Sequence, residues 1–280
     1  MKKTWFITGG SRGIGVEIVK AALAQGDNVV ATARDVTKLR EQLSEHADKL
    51  ECIELDVQNS KAATKAVARS VERFGGIDVL VNNAGYGQLG HFESVEAASI
   101  ETQFHVNVFG LMHVTRAVLP QMRKQRSGCI FNLSSIGGAI GFDGASIYCA
   151  SKFAVEGFSE SLAQEVARFG INVTIVEPGF FRTDFLDASS VLYGQVQNQD
   201  YTDAVSNQRS QYDAYSHMQP GDPYKLAQLI VNTEGLIQRP ARLVAGSDAL
   251  SMSRVALNDR IAELEQWAAS STSTDFHEGK

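Results

Sequence analysis

Short apolar runs alternate with longer amphipathic stretches along most of this chain. Thr4 to Ile7, Asn28 to Ala33, Leu50 to Leu55, Val79 to Asn82, Cys129 to Leu133, Asn172 to Val176 and Leu243 to Ala245 predict strands. The stretches between them predict helices over 14–25, 36–46, 60–74, 98–126, 147–168, 223–237 and 248–268. Asp222 followed by Pro223 is a good N-cap with proline at the first helical position. Strands that are apolar nearly throughout, rather than alternating, belong to a parallel sheet covered on both faces. The pattern therefore predicts an α/β, doubly wound fold with a seven-stranded parallel sheet.

The rhythm runs from residue 4 to about 245 without a linker, which predicts one domain over 1–280. It breaks between Asp184 and Gly221, where Gln, Asn, Ser, Asp and Tyr crowd a segment too long for an ordinary connection. Residues 184–221 read as an insertion that forms a substrate-binding lid. Residues 270–280 open with a Ser/Thr tract and read as a flexible tail.

Composition narrows the function. The net charge of −6 offers no footprint for a phosphate backbone, so nucleic acid is not an expected partner. Cys52, Cys129 and Cys149 are odd in number and lack C-x-x-C spacing, which fits a reducing compartment without disulfides. The apolar run at the start stops at Gly9, and nothing approaches the ~20 apolar residues of a membrane span. The expected location is the cytoplasm. Six His residues without H-E-x-x-H spacing predict no metal site.

The first strand runs through Thr8-Gly9-Gly10-Ser11-Arg12-Gly13-Ile14-Gly15 directly into a helix. Glycines there permit a tight turn and close approach of backbone to a pyrophosphate, and the helix N-terminus favours the anion. Gly9, Ser11, Arg12, Gly13, Ile14 and Gly15 are the candidate cradle. At the end of the second strand, where an acid would take a ribose 2′-OH, stands Arg34. Arg34 with Arg12 can clamp a 2′-phosphate, which predicts NADP(H) in preference to NAD(H); Asp35 is the competing ribose acid. Asp56 and Val57 close the third strand, where a carboxylate can accept an adenine amino hydrogen. Asn83, Ala84 and Gly85 follow the fourth strand at the sheet's carboxyl edge, to bind ligand or to brace the strands.

Tyr148 and Lys152, at i and i+4, share one helix face. A nearby ammonium favours phenolate and is expected to lower the phenol's pKa towards neutrality, making Tyr148 a usable acid or base. The fifth strand ends in Ser134-Ser135, whose hydroxyls can face the same point.

Together these residues resemble the classical short-chain dehydrogenases/reductases, a Rossmann-fold family, over residues 4 to about 185. The resemblance implies that Tyr148 is the acid/base, that Lys152 lowers its pKa and holds the nicotinamide ribose, and that Ser135, thirteen residues before Tyr148, hydrogen-bonds the substrate oxygen. It implies that Asn107 holds a relay water, and that the loop Pro178-Gly179-Phe180-Phe181-Arg182-Thr183 meets the cofactor at Phe181 and Thr183. The implied activity is reversible reduction of a ketone or aldehyde to an alcohol, with a 17β-hydroxysteroid dehydrogenase kind of relative among the candidates. Phe142, Tyr86, Phe180, Phe185, Leu186, Leu192 and Tyr193 flank these positions and suit a small hydrophobic carbonyl or alcohol substrate. The family pairs its long helices, so a homodimer or homotetramer is expected. Two other readings compete. One is a non-catalytic NADP(H)-binding sensor or scaffold. The other takes Gly9-Gly10-Ser11-Arg12-Gly13 as the nucleophile elbow of a serine hydrolase, with Ser11 served by His91, His105, His113 or His217.

Overall fold

A computed structural model describes residues 2–187, 190–195 and 199–276. Positions 188–189 and 196–198 of the expected lid, and 277–280 of the expected tail, lie outside the described residues. Seven strands form one all-parallel sheet: β1 (Thr4–Thr8), β2 (Asn28–Ala33), β3 (Leu50–Glu54), β4 (Val79–Asn82), β6 (Gly128–Leu133), β7 (Ile171–Pro178) and β9 (Arg242–Ala245). The other two strands, β5 (Gly87–Leu89) and β8 (Val191–Tyr193), pair in a separate parallel ribbon.

The sheet order is β3-β2-β1-β4-β6-β7-β9, so chain direction across the sheet reverses between β1 and β4. That switch point is where open α/β sheets bind ligands, outside the carboxyl ends of the strands.

Both faces of the sheet are buried, which is why the strands are apolar throughout. Trp5 and Ile7 pack into one core with Ile18 and Val19 of α1 (Gly13–Ala24) and Leu226 and Ile230 of α8 (Pro223–Glu234). Phe6, between them, points to the opposite core. There it meets Ala66 and Val67 of α3 (Ser60–Phe74), Val114 and Val118 of α5 (Leu111–Gln125) and Leu162 of α6 (Ser146–Val166). Each such buried aliphatic or aromatic side chain contributes ~1.5–3 kcal/mol of burial free energy. The expected cap of α8 forms: the Asp222 carboxylate accepts from the N–H groups of Tyr224 (2.9 Å) and Lys225 (3.4 Å).

The structure departs from the expected elements in four places. The helix predicted over 98–126 is interrupted: α4 (Ala97–Phe104) passes through a π-helical turn at His105–Gly110 before α5 begins. The second helix, α2, covers only Thr37–Gln42, followed by a 3-10 turn at Ser44–His46. The segment after β7, polar in sequence, carries β8 and a helix, α7 (Thr202–Tyr215). The last helix, α9, spans Ser247–Thr272, so it continues into the Ser/Thr tract.

Candidate active site

The carboxyl ends of β1 and β4 are locked together by a residue pair at the mouth of the glycine loop. The Thr8 hydroxyl accepts from the N–H groups of Asn83 (3.0 Å) and Ala84 (3.1 Å), and the Asn83 side chain donates to the carbonyls of Thr8 and Gly9, both at 3.0 Å. The Asn83 side chain therefore braces the loop. Gly9 (φ 64°) and Gly13 (φ 53°) turn the chain in the left-handed region that glycine occupies without strain. Gly15 packs so close beneath them that a Cβ there would collide with the Gly9 carbonyl and stand 2.5 Å from the Asn83 amide. The loop delivers the chain to Gly13, where α1 starts behind Arg12 with no side chain capping it. An uncapped, glycine-lined helix start of this kind fits a pyrophosphate. Thr183, in the loop after β7, closes the same spot, since a Cβ on Gly13 would lie 3.7 Å from the Thr183 Cβ.

Arg12 and Arg34 are both exposed at this end of the sheet. Asp35 caps its own turn by accepting from the Thr37 N–H (2.8 Å), and that bond holds its carboxyl below the usual range. Asp56 likewise accepts from the Gln58 N–H at 3.0 Å. Val57 is buried beneath Gly110, where a Cβ would stand 2.6 Å from its Cγ2, and its carbonyl lies 3.2 Å from His113 Nδ1.

The π turn sets Asn107. Its Oδ1 accepts from the Tyr86 N–H (3.1 Å), while its Nδ2 donates to the Tyr86 carbonyl (2.9 Å) and to the Ser151 hydroxyl (3.4 Å). A Cβ on Gly85 would stand 3.2 Å from the same Oδ1, so the chain after Asn83-Ala84 passes directly over Asn107. π turns of this kind recur at functional sites.

Ser135, just past β6, faces Tyr148. A Cβ placed on Gly137 would lie 3.2 Å from Tyr148 Cε1, 3.5 Å from Ser135 Oγ and 3.5 Å from Cys149 Sγ, which puts all three around one point. The Ser135 oxygen accepts from the Gly137 N–H (3.1 Å). Ser134 turns the other way, to Gly138 and Glu156. Lys152 is buried one helical turn from Tyr148; its Nζ lies 5.9 Å from the phenol ring centroid and donates to the Leu133 carbonyl at 2.8 Å.

The protonation of this group departs from the expectation that Lys152 brings the phenol towards neutrality. Burial pushes the Tyr148 phenol up to about 12, opposed by its hydrogen bond to Ser135. Burial pushes the Lys152 ammonium down to about 8, opposed by Glu156. Burial is the largest influence on both groups.

An apolar wall stands against Tyr148. Its ring lies 5.8 Å from Phe185, within a cluster that joins Leu89, Ala145, Cys149, Leu186 and Val191 to Phe142, Tyr193 and Tyr212. Phe180 joins it through Phe142, at 6.4 Å between ring centroids. Of the expected wall residues, Leu192 is half exposed instead, and Tyr86 contributes its backbone to Asn107. The β5–β8 ribbon ties residues 191–193 to the chain beside Asn107, and Phe181 pairs with Gly221. Sequence reasoning missed three supports. These are Thr8, which stood in the quoted motif; Gln103, which accepts from the Gln88 N–H and donates to the Tyr86 carbonyl; and Asp248. Asp248 accepts from the Phe180 N–H at 2.8 Å and presses on Gly179, fixing the loop that follows Pro178.

The histidines of the hydrolase reading go elsewhere: His91 packs on Tyr201, His105 on Phe109, His113 on the Val57 carbonyl and His217 on Asp187. Asp184, Asp187 and His217 bring ligand-type atoms within 4.8 Å of one another at the surface.

The profile of the short chain dehydrogenases matches residues 3–191. The chain is 39% identical over 268 residues to an oxidoreductase named BOA17 from Botryotinia fuckeliana, covering 95% of this chain and 97% of that one. It is 41% identical over 198 residues to a 3-ketodihydrosphingosine reductase from Bacteroides thetaiotaomicron, 71% of each. A crystal structure of a short-chain dehydrogenase from Streptomyces avermitilis superposes with a TM-score of 0.91 at 40% identity, covering 99% of this chain and all of that one. With this fold, this glycine loop and this tyrosine, the chain belongs to the short-chain dehydrogenases, oxidoreductases that interconvert CH–OH and C=O groups.

Proposed function

We propose that this chain is an NADP(H)-preferring carbonyl reductase acting on a small hydrophobic ketone or aldehyde. The observation that carries the reading is the meeting of Tyr148, Ser135 and Lys152 at the sheet's carboxyl edge, beside a glycine-lined helix start. When bound, the nicotinamide cofactor supplies a hydride to the carbonyl carbon. Gly9, Ser11, Gly13, Ile14 and Gly15 are assigned to its pyrophosphate, Arg12 and Arg34 to the 2′-phosphate, and Asp56, Val57, Asn83, Ala84 and Gly85 to the adenosine half and the adjoining wall. Pro178, Gly179, Phe181 and Thr183 are assigned to the nicotinamide side, with Lys152 on the ribose.

The chain's own residues do the rest. A phenol with a pKa of about 12 is protonated at neutral pH, so Tyr148 holds the proton that the developing alkoxide takes. Ser135 already accepts from Gly137, which leaves its O–H to donate to the same oxygen. Lys152 stabilises the phenolate left behind, and Asn107 holds the route by which solvent returns the proton. Alcohol oxidation runs the same transfers backwards.

The Phe142, Phe185 and Tyr193 wall excludes water and favours an apolar substrate, and the reductase relative acts on a ketone, as its name states. Residues 184–221 act as the lid. Exposed Phe109 and Phe153 on the α5–α6 side fit the face of a homodimer or homotetramer. Among the described residues no helix is long and apolar enough to cross a membrane, and the proposed place of action is the cytoplasm.

Fluorescence titration with NADPH and NADH, followed by loss of the reduced-nicotinamide absorbance across a panel of ketones and aldehydes, tests the reading. Tighter NADPH binding with turnover of apolar carbonyls is expected. Binding without any turnover favours the sensor reading, and no binding overturns the glycine-loop assignment.

A further inference from the structure

The second half of α9 leaves the body of the protein. Ala249 and Ser253 are buried against it, and Arg260 donates to the carbonyl of Ala139. Every described residue from Leu257 to Phe276 is exposed, and the twelve helical residues beyond Arg260 reach about 18 Å. Three helical turns alone in water are marginal.

Leu250, Leu257, Ile261 and Leu264 follow one another at helical steps of seven, four and three, which places them in a single stripe. They are 45%, 57%, 52% and 72% exposed. The flank that meets the body, through Ala249, Ser253 and Arg260, is the neighbouring one, so the body does not use the stripe.

We infer that α9 packs antiparallel against α9 of a second copy of this chain, about a two-fold axis near Asp259. Positions equidistant from residue 259 then face each other. Leu257 meets the partner's Ile261, Leu250 meets the partner's Ala268, and each protruding half lies along the other copy's anchored half. The charges match this register. Arg254 falls opposite the partner's Leu264, beside the partner's Glu265 on the flank of the helix that faces away from the body. Among the described residues neither of these two charged side chains has a hydrogen bond or ion pair of its own. Parallel pairing would set each charge against its own copy, which is repulsive. The arrangement is isologous and closes as a dimer contact, separate from the α5–α6 face. A lipid surface fits less well, because the helix carries Asp248, Asp259, Glu263 and Glu265 against Arg254 and Arg260.

Sedimentation equilibrium of the full chain tests the inference, with circular dichroism to show that each variant folds. Ile261→Glu is expected to halve the assembly mass. Arg254→Glu should weaken association at least about tenfold, and adding Glu265→Arg to it should restore the wild-type association. A wild-type chain that is monomeric at micromolar concentration, or an Ile261→Glu variant of unchanged mass, overturns it. Failure of the paired charge reversal to recover association overturns the antiparallel register. Binding of wild type to phosphatidylserine vesicles, lost in Ile261→Glu without a change in mass, replaces the second copy with a membrane.

Discussion

The two sides of the cleft are built on different principles. On the β1–β4 side, the wall is backbone: Gly9 and Gly15 are packed on Asn83 and Ala84 and on each other so closely that side chains are excluded, and Gly13 turns in the left-handed region. On the β7 side, the wall is side chain: Phe142, Phe185, Leu186 and Tyr193 fill the space against Tyr148. Backbone geometry has no slack, whereas a packed apolar cluster can trade volume and still close. The first side thus suits an invariant ligand such as a nucleotide, and the second suits a substrate that differs from one relative to another.

This contrast can be broken in graded steps. Gly15→Ala forces a Cβ into the Gly9 carbonyl and should cost ~3 kcal/mol of stability, with nucleotide binding lost, as read by thermal melts and fluorescence titration. Arg34→Glu removes an exposed cation and adds repulsion. It should cost ~2 kcal/mol of NADPH affinity, about thirtyfold, and leave NADH affinity close to wild type, as measured by parallel titrations. Phe185→Ala opens the other wall. KM for an apolar ketone should rise about fivefold, ~1 kcal/mol, while the NADPH dissociation constant stays the same.

The smallest expected effect lies behind the cleft. Glu177 is pushed up from 4.5 to about 7 by burial and by nearby Glu156, against the pull of Arg242 3.1 Å away. An acid raised in the folded state adds stability that is fully present below about 4.5 and is lost as pH rises through about 7. Chemical denaturation across that window should show stability falling with pH, and Glu177→Gln should flatten the fall.

The seven strands of the large sheet were legible because a parallel sheet buried on both faces leaves an uninterrupted apolar record in each strand. Thr4 to Thr8 is such a record, its residues feeding both cores. The backbone wall was legible too, since a left-handed turn needs glycine at Gly9 and Gly13. Three features left no such mark. The π turn at Asn107 has helix directly before and after it, so the stretch reads as one long helix. The ribbon strands are three residues long, and their partners are about a hundred residues apart, so neither propensity nor proximity could announce them. Helix α7 has no apolar stripe to betray it among its polar residues. The direction in which Tyr148 shifts left no mark for a related reason: the i, i+4 spacing to Lys152 is visible in sequence, while the burial that raises the phenol comes from residues far along the chain, Phe185 and Tyr212 among them.

The proposed reduction turns on the Tyr148 phenol, protonated within its apolar wall, as the donor of the proton that completes it. The most direct measurement is single-turnover oxidation of bound NADPH by an apolar ketone, in the wild type and in Tyr148→Phe, with NADPH affinity measured for both. Equal affinity and a rate lower by at least about a thousandfold in the variant are expected. A variant that binds NADPH normally and turns over within tenfold of wild type would contradict it.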